Sequence, residues 1–254
     1  VPTDLTDPAA IENLFKKTLA EFGRLDILVN NATNVVQGSF FAMDEAAWDR
    51  AFENKLRGTV RCIRLAVPAM RERKWGRIVN ISGGAAWTPQ LGAIATGMNN
   101  AAVQNLTVAL ANELAKDGIL VNAIVPTAVR TERHDQNIKD TMAKTGQSEA
   151  EVLKPRVAKI PLGRMGTSEE IANVVVFMCS ERASFVAGSL WAVDGGVDPS
   201  GFVKGWAADV VADMLVSQGF MNVAINAAGD VSCRGEQSEG QPWVIGIRHP
   251  EETH

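Results

Sequence analysis

The chain has no tyrosine among its 254 residues, and it has only three cysteines and three histidines. Without a tyrosine, no phenol is present to act as a general acid or base. Cys62, Cys179 and Cys233 share no close spacing, which argues against a disulfide framework and against a zinc site. The histidines are dispersed among polar residues and indicate no metal site either.

Long hydrophobic runs and clusters of positive charge are also missing. The longest apolar runs, such as residues 174–178, are far too short to span a bilayer, and no charged-then-apolar leader opens the chain. The formal net charge is −4 and the Lys and Arg residues are scattered. The sequence therefore predicts a cytoplasmic protein that binds neither a membrane nor nucleic acid.

What the chain does contain is an alternation of helical patterns and short apolar segments. Asp7-Pro8, Asp44 and the capping box 167–170 (TSEE) each have the form of a helix start. Helices are predicted from residue 44 to about 70 and from about 98 to 115. The apolar segments 25–29, 77–81, 119–125 and 190–193 are typical of buried strands. This alternation predicts an α/β fold with a doubly wound parallel sheet.

Three segments carry a resemblance to a known family. Residues 28–32 (LVNNA), 76–82 (GRIVNIS) and 121–126 (VNAIVP) resemble the short-chain dehydrogenase/reductases. The resemblance covers residues 1 to about 197 and implies an NAD(P)-dependent oxidoreductase with a Rossmann-like fold. It begins at residues 3–7, which match the end of the family's third strand. The chain also begins with Val1 rather than Met.

The resemblance therefore implies a partial Rossmann-like sheet whose first two strands are missing. No Gly-x-Gly-x-x-Gly fingerprint occurs in the sequence. In such proteins the backbone amides of that loop hold the cofactor's pyrophosphate at a helix N-terminus. We expect an N-terminally incomplete dinucleotide-binding domain over residues 1–197.

The family's catalytic groups are a Ser, a Tyr, a Lys four residues after the Tyr, and an Asn that completes a water-linked proton relay. Thr96 stands at the Tyr position and Asn100 at the Lys position. The Ser position falls on Gly83, with Ser82 next to it, and the Asn position falls on Lys55. An alkyl alcohol is a far weaker acid than a phenol, and an amide carries no charge to assist it. The resemblance therefore predicts impaired catalysis, as in a pseudoenzyme.

The Lys and Asn residue types look exchanged between positions 55 and 100. One hypothesis is that a cation and an amide persist in the same pocket with their places swapped. The alternative is that Lys55 is a surface lysine and Asn100 an ordinary helix residue.

The positions that contact the cofactor in the family are better kept, and the implied cofactor is NAD or NADP. Asp4 and Leu5 match the pair that contacts adenine. The turn under the adenosine ribose is matched by Asn30, Asn31, Ala32 and Thr33. The residues beside the nicotinamide are matched by Pro126, Thr127 and Thr131. Thr33 and Thr127 replace glycines of the family pattern. Asn30 and Asn31 could instead tie adjacent strands together, and Thr131 could instead cap a helix.

After residue 197 the character of the sequence changes. Residues 198–254 resemble a middle piece of the FAD:protein FMN transferases in a Lys-Gly-Trp-Ala-x-Asp run, an Ala-Gly-Asp turn and a Trp-x-x-Gly-Ile-Arg strand. That resemblance implies a small α+β segment with Lys204, Asp209 and Asp230 near a flavin nucleotide. The alternative is that Lys204 and Asp209 are polar residues of an amphipathic helix and Asp230 is a turn residue, so that none of the three binds a ligand. Two families meeting near Val197 predict a fusion.

Three functions stay open from the sequence. The first is an oxidoreductase acting on a small carbonyl or alcohol substrate. The second is a non-catalytic protein that keeps the fold for self-association, since helices matching 44–70 and 98–115 commonly build dimers and tetramers in this family. The third is a fragment of a flavin transferase.

Overall fold

Short parallel strands build the centre of the first of two compact units, Val1–Gly196 and Val197–His254. The computed structural model describes residues 1–33, 36, 38–196, 200–227 and 230–244. The first unit contains β1 (Ile27–Asn30), β2 (Gly76–Ile81), β3 (Ile119–Pro126), β4 (Val129–Arg130), β5 (Gly166–Thr167) and β6 (Leu190–Val193). The main sheet has the order β1-β2-β3-β6 with all neighbours parallel, and β4 pairs with β5 apart from it.

Helices cover both faces of this sheet, which confirms the predicted α/β class. They are α1 (Pro8–Phe22), α2 (Glu45–Phe52), α3 (Gly58–Arg73), α4 (Ile94–Leu114), α5 (Glu132–Thr145), α6 (Glu149–Val157) and α7 (Ser168–Cys179). On one face, Ile78 and Val121 pack against α1, α3 and α4. On the other face, Val79 and Ile124 pack against Met178 of α7. Strands buried on both faces need apolar residues at successive positions, and this explains the continuous apolar runs in the sequence.

Side-chain caps fix the starts of the helices as predicted. The Asp7 carboxylate accepts from Ala9 N at 2.9 Å, and the Asp44 carboxylate accepts from Ala47 N at 2.8 Å. At α7 the Thr167 hydroxyl accepts from Glu170 N while the Glu170 side chain accepts from Thr167 N, which is the reciprocal capping box. These bonds satisfy amides that the first helical turn leaves free.

The predicted single helix from residue 44 to about 70 is wrong in one respect. Between α2 and α3 the chain forms a π-helical turn, Glu53–Arg57. A π turn is a rare insertion into a helix and occurs frequently at functional sites. The predicted start of the next helix was also late, because α4 begins at Ile94 rather than near Met98. Helices α5 and α6, which the sequence reading left unassigned, bury only Ile138 and Val152.

The second unit contains a helix and an antiparallel hairpin. These elements are α8 (Ser200–Ser217), β7 (Val223–Ala227) and β8 (Asp230–Arg234). The helix buries the small side chains of Ala208 and Ala212. A strand predicted over 242–248 is not observed for residues 242–244, and its remainder lies outside the described residues. No helix in the described part of the chain has the length and apolarity needed to cross a membrane.

Candidate functional site

A cavity of about 440 Å³ opens at the carboxyl ends of β1, β2 and β3. Its floor contains Val29, Ile81 and Pro126, and α7 contributes Ser168 together with four apolar residues. Polar side chains of Asn31 and Thr131 reach the rim. In open parallel sheets, ligands bind outside the carboxyl ends of the strands, so this is the expected place for a cofactor.

Lys55 lies buried beside this edge of the sheet. The π turn between α2 and α3 carries it, and its side chain is buried with the residue only 7% exposed. Lys55 Nζ donates a hydrogen bond of 3.3 Å to the backbone oxygen of Ser82, the residue that follows β2. Burial lowers the pKa of Lys55 to about 8. Lys55 is therefore an interior amine and not the surface lysine of the alternative prediction.

Ser82 links Lys55 to the buried face of α4. Ser82 Oγ donates to the backbone oxygen of Asn100 at 3.1 Å, and Gln104 Nε2 donates to Ser82 Oγ at 3.0 Å. Asn100 is 3% exposed, and its Oδ1 is buried with no hydrogen-bond partner. Hydrogen bonds thus join Lys55, Ser82, Asn100 and Gln104 into one buried polar cluster, and the exchange hypothesis stays a prediction.

Gly83 makes room for the Asn100 side chain. A β-carbon placed on Gly83 would lie 2.7 Å from Asn100 Nδ2, a distance that real β-carbons do not show. Residue 83 therefore lacks a side chain where the Asn100 amide occupies the space. A Ser at position 83 and this conformation of Asn100 exclude each other.

Thr96 stands in the first turn of α4, four residues before Asn100 and so on the same side of the helix. Its hydroxyl oxygen is buried and has no hydrogen-bond partner. The neighbouring Gly97 packs closely on the turn 84–86, where an added β-carbon would lie 2.9 Å from Ala85 O. The first turn of α4 therefore lies over the segment that follows Ser82 and Gly83.

Some of the positions predicted to contact a cofactor line the cavity, and others do not. Asn31, Pro126 and Thr131 line the cavity. Thr127 places its Cγ2 methyl over Gly84, in the space that a β-carbon on Gly84 would need. Ala32 and Thr33 are exposed. The cavity lining thus combines Asn31, assigned to the ribose, with Pro126 and Thr131, assigned to the nicotinamide end, and the cofactor contacts of all three stay predictions.

Asp4 and Leu5 do not line this cavity. The Asp4 carboxylate accepts from the Thr6 backbone and hydroxyl at 2.8 Å each, and these two bonds lower the pKa of Asp4. Leu5 packs on the α1–α3 core, and its backbone oxygen accepts from Arg61. Both residues thus have partners that keep the chain before α1 in place.

Asn30 and Thr131 each have the structural role that the sequence left open as an alternative to cofactor binding. Asn30 Nδ2 donates to Asn80 Oδ1 at 2.8 Å, so this side chain ties β1 to β2. Thr131 accepts from His134 N and caps α5 while it also lines the cavity. For Asn30, the structure shows the strand tie.

The sequence did not point to two buried polar residues of α4: Gln104, which donates to Ser82 Oγ, and Asn99. Asn99 Nδ2 donates to Ala51 O at 2.8 Å and so joins α4 to α2, while its Oδ1 has no partner. Both lie on the buried side of α4. The available signal was the spacing of polar residues at the core-facing positions of an otherwise apolar helix.

In the second unit, Asp209 accepts from Ser232 Oγ at 2.6 Å and forms an ion pair of 3.2 Å with Arg234. The side chains of Lys204 and Asp230 lie outside the described residues. The flavin site proposed from these positions stays a prediction. Among the described residues, no group of three or more His, Cys, Asp and Glu side chains could hold a metal ion.

Comparison with known proteins gives matches along the first unit. A family model described as enoyl-(acyl carrier protein) reductase matches residues 1–198. The 3-oxoacyl-[acyl-carrier-protein] reductase FabG of Aquifex aeolicus is 33% identical over 197 residues, which cover 78% of this chain and 75% of that protein. The (2S)-[(R)-hydroxy(phenyl)methyl]succinyl-CoA dehydrogenase subunit BbsD of Thauera aromatica is 34% identical over 198 residues, which cover 76% of this chain and 73% of that protein.

A solved structure shares the fold at a comparable level of identity. The L-sorbose reductase of Gluconobacter frateurii, crystallised with NADPH and L-sorbose, matches with a TM-score of 0.74 and 31% sequence identity. The match covers 77% of this chain and 75% of that chain.

Proposed function

Because the chain belongs to the short-chain dehydrogenase/reductase family of NAD(P)-dependent oxidoreductases, as its sequence predicts, we propose that it is a catalytically impaired carbonyl reductase. It binds a nicotinamide nucleotide at the cavity by the carboxyl ends of β1, β2 and β3. It reduces a small carbonyl substrate slowly, since the groups that move the proton are replaced.

The residues around the cavity fit the nicotinamide end of such a cofactor. An apolar floor of Val29, Ile81 and Pro126 suits a flat ring, and Thr131 at the rim offers a hydroxyl to a carboxamide. When bound, the nicotinamide would supply the hydride. NADPH is the form crystallised with the sorbose reductase, and it is the first cofactor to test.

The observation that carries the proposal is the composition of the buried cluster. Thr96 and Asn100 stand where the resemblance expects a phenol and an ammonium, and Gly83 stands where it expects a hydroxyl. A positioned general acid contributes about 10²- to 10⁴-fold to a rate, so its loss accounts for slow turnover without loss of cofactor binding.

The test replaces the four positions together. The full chain and its Lys55→Asn/Gly83→Ser/Thr96→Tyr/Asn100→Lys variant are compared for NADPH binding, by quenching of tryptophan emission, and for NADPH oxidation with a 3-oxoacyl thioester and with L-sorbose. We expect similar NADPH affinity and about 100-fold faster turnover in the variant. Equal turnover in both proteins, or no NADPH binding by the full chain, would contradict the proposal. Circular dichroism establishes that the variant is folded.

A second candidate function, self-association without turnover, is favoured by the surface of α4. Met98, Ala101, Asn105 and Val108 are exposed at helical spacing along one side, with Met98 48% and Val108 40% exposed. Three of these four residues are apolar, and a stripe of this kind suits a helix of a second copy, in a dimer or tetramer. Sedimentation equilibrium of the full chain and of Val108→Glu tests it. A monomer in both cases would remove this candidate.

A further inference from the structure

The helix pair α5 and α6 connects two segments that line the cavity. Val129 and Thr131 come before α5, Ser168 begins α7 after α6, and all three residues line the cavity. The two segments are joined by the ladder of β4 and β5, in which Val129 pairs with Gly166. The start of α5 is thus part of the cavity rim, and the contacts that hold α5 in place also hold that part of the rim.

Polar contacts are important for this helix pair because its apolar packing is small. Both helices lie wholly within the described residues, and each buries one side chain, Ile138 in α5 and Val152 in α6. Arg130 of β4 forms ion pairs with Asp135 at 2.7 Å and with Glu149 at 2.8 Å. Arg130 therefore ties the cavity rim to the starts of both helices.

A further polar contact joins the end of α6 to the start of α5. Arg156 Nη1 lies 2.7 Å from His134 Nε2. A guanidinium can only donate hydrogen bonds, so His134 Nε2 must be the acceptor. The imidazole is therefore neutral and carries its proton on Nδ1, an atom that is buried and has no hydrogen-bond partner among the described residues. This contact exists in only one protonation state of the ring.

Protonation of His134 removes the contact. An imidazolium carries a proton on both nitrogens, so Nε2 can no longer accept from Arg156, and two cations then face each other. Burial is the main cause that lowers the pKa of His134, and the charge of Arg156 adds to it. Of the other charged groups that act on the ring, Asp135 raises this pKa and Arg130 lowers it. The protein thus favours the neutral ring that the contact requires.

His134 also contacts the cavity rim through its backbone. His134 N donates to Thr131 Oγ1 at 3.3 Å, and Asp135 N donates to Thr131 O at 2.9 Å. Because Oγ1 accepts in this bond, the hydroxyl proton of Thr131 stays available for an acceptor in the cavity. A shift of the first turn of α5 would move this hydroxyl.

We propose that the contact between His134 and Arg156 is a pH-sensitive latch that positions Thr131 at the cavity. With a neutral His134 ring the latch holds α5 on α6, and with a protonated ring it releases them. The inference rests on the proposed function, in that the ligand of the cavity is a nicotinamide nucleotide. His134 is a positioning residue, since it acts on this ligand through Thr131.

The direction of the pH effect follows from the two states of the latch. The released ring has a pKa near the ordinary value of 6.5, and the pKa of the latched ring is lower. Above pH 6.5 the ring is neutral in both states and the latch is fully present. As the pH falls below 6.5, the released state takes up a proton first, so the latch weakens and NADPH affinity decreases.

The first test observes the ring itself and needs no cofactor. Nitrogen NMR of the imidazoles, with His134→Gln to assign the signal, should show the His134 proton on Nδ1 at neutral pH and a pKa below 6.5. Arg156→Met should bring the pKa back to its ordinary value. Arg133→Met, which changes an exposed arginine of the same helix, should leave the ring as it is in the full chain. A proton on Nε2 in the full chain, or an unchanged titration in Arg156→Met, would overturn the latch.

The second test measures NADPH affinity at about pH 7.5 and at about pH 5.5, on either side of the ordinary histidine pKa. At the lower pH the full chain should bind NADPH about fivefold more weakly than His134→Gln, whose neutral amide oxygen can accept from Arg156 at both pH values. At the higher pH the two should bind alike. Titration of the NADPH phosphate is common to both proteins and cancels in the comparison. His134→Lys should bind weakly at both pH values, and Arg133→Met should behave like the full chain.

The outcomes separate this inference from the proposed function. If the full chain binds no NADPH at any pH, the proposed function fails and the control of NADPH affinity fails with it, while the ring titration still decides whether Arg156 holds His134. If the full chain and His134→Gln lose the same affinity between the two pH values, NADPH binds but the latch does not act on the cavity, and the inference is overturned.

A further variant covers the case in which circular dichroism shows that His134→Gln is unfolded. Arg156→Met removes the latch from the other side. It should bind NADPH about fivefold more weakly than the full chain at about pH 7.5, and equally at about pH 5.5. Equal affinity of Arg156→Met and the full chain at the higher pH would overturn the inference.

Discussion

The α-carbon of Gly83 lies so close to the Asn100 amide that a β-carbon on residue 83 would stand 2.7 Å from Asn100 Nδ2. The resemblance to the family predicts a serine and a lysine at these two positions. The two residues are matched in shape, because the Asn100 amide fills the space that a side chain on residue 83 would need.

This relationship predicts non-additive effects on stability. Gly83→Ala should lower the free energy of unfolding by about 1–3 kcal/mol, since the buried Asn100 side chain must move. In an Asn100→Ala background the same change should cost far less. Urea unfolding of the single and double variants measures the coupling. Gly166→Ala, whose β-carbon would make only ordinary contacts at 3.7 Å, is the matched control. Additive losses would show that the two residues do not compete for space.

Lys55 predicts a rise in stability at alkaline pH. Its pKa falls from 10.5 in the unfolded chain to about 8 in the folded chain. Between those values the unfolded state binds more protons, so the free energy of unfolding increases with pH, by about 3 kcal/mol in total. Below pH 8 the full cost of the buried charge is present.

The measurement compares the full chain with Lys55→Met from pH 6 to pH 10 by urea unfolding. The advantage of Lys55→Met over the full chain should be largest below pH 8 and shrink above it. Burial raises the pKa of Cys62, which acts in the opposite direction, but this contribution cancels in the comparison. Lys116→Met, on the surface, should show a constant difference. A constant difference for Lys55→Met would contradict the prediction.

The sheet could be predicted from sequence, whereas the orientation of Lys55 could not. Buried parallel strands require runs such as 76–81, and caps such as Thr167 with Glu170 mark a helix start by local chemistry. The residues of the π turn, 53–57, suit an α-helix equally well. Only tertiary packing selects the wider turn that carries Lys55.

The matched pair of Gly83 and Asn100 also lay beyond sequence reasoning, because it depends on a contact between residues that are distant in the chain. Helices α5 and α6 were missed for another reason. Each buries a single large apolar residue, so the apolar periodicity is weak, although Ser148 and Glu151 form a recognisable capping box.

Asn80 is predicted to be important for stability and not for cofactor binding. It is fully buried, accepts from Asn30 Nδ2 and donates to Thr107 Oγ1 at 2.9 Å. Asn80→Ala should lower the free energy of unfolding by about 2–4 kcal/mol, because it leaves a cavity and removes a hydrogen-bond partner from both Asn30 and Thr107. Asn30→Ala, at the less buried end, should cost less. Urea unfolding and NADPH titration of both variants test this prediction. If Asn30→Ala loses NADPH affinity but not stability, Asn30 contacts the cofactor and its bond to Asn80 is of minor importance.

Thr127 is predicted to restrict the cofactor cavity by its bulk. It follows Pro126, which lines the cavity, and its Cγ2 methyl occupies the space over Gly84. Thr127→Ala removes that methyl and should improve NADPH affinity about fivefold, which corresponds to roughly 1 kcal/mol. Thr127→Val keeps the methyl and removes the hydroxyl, so it should bind NADPH like the full chain. If Thr127→Val and Thr127→Ala improve NADPH affinity equally, the Thr127 hydroxyl and not its methyl group hinders NADPH binding. If neither changes the affinity, the nicotinamide does not approach Thr127, and the cavity at the ends of β2 and β3 holds another part of the ligand.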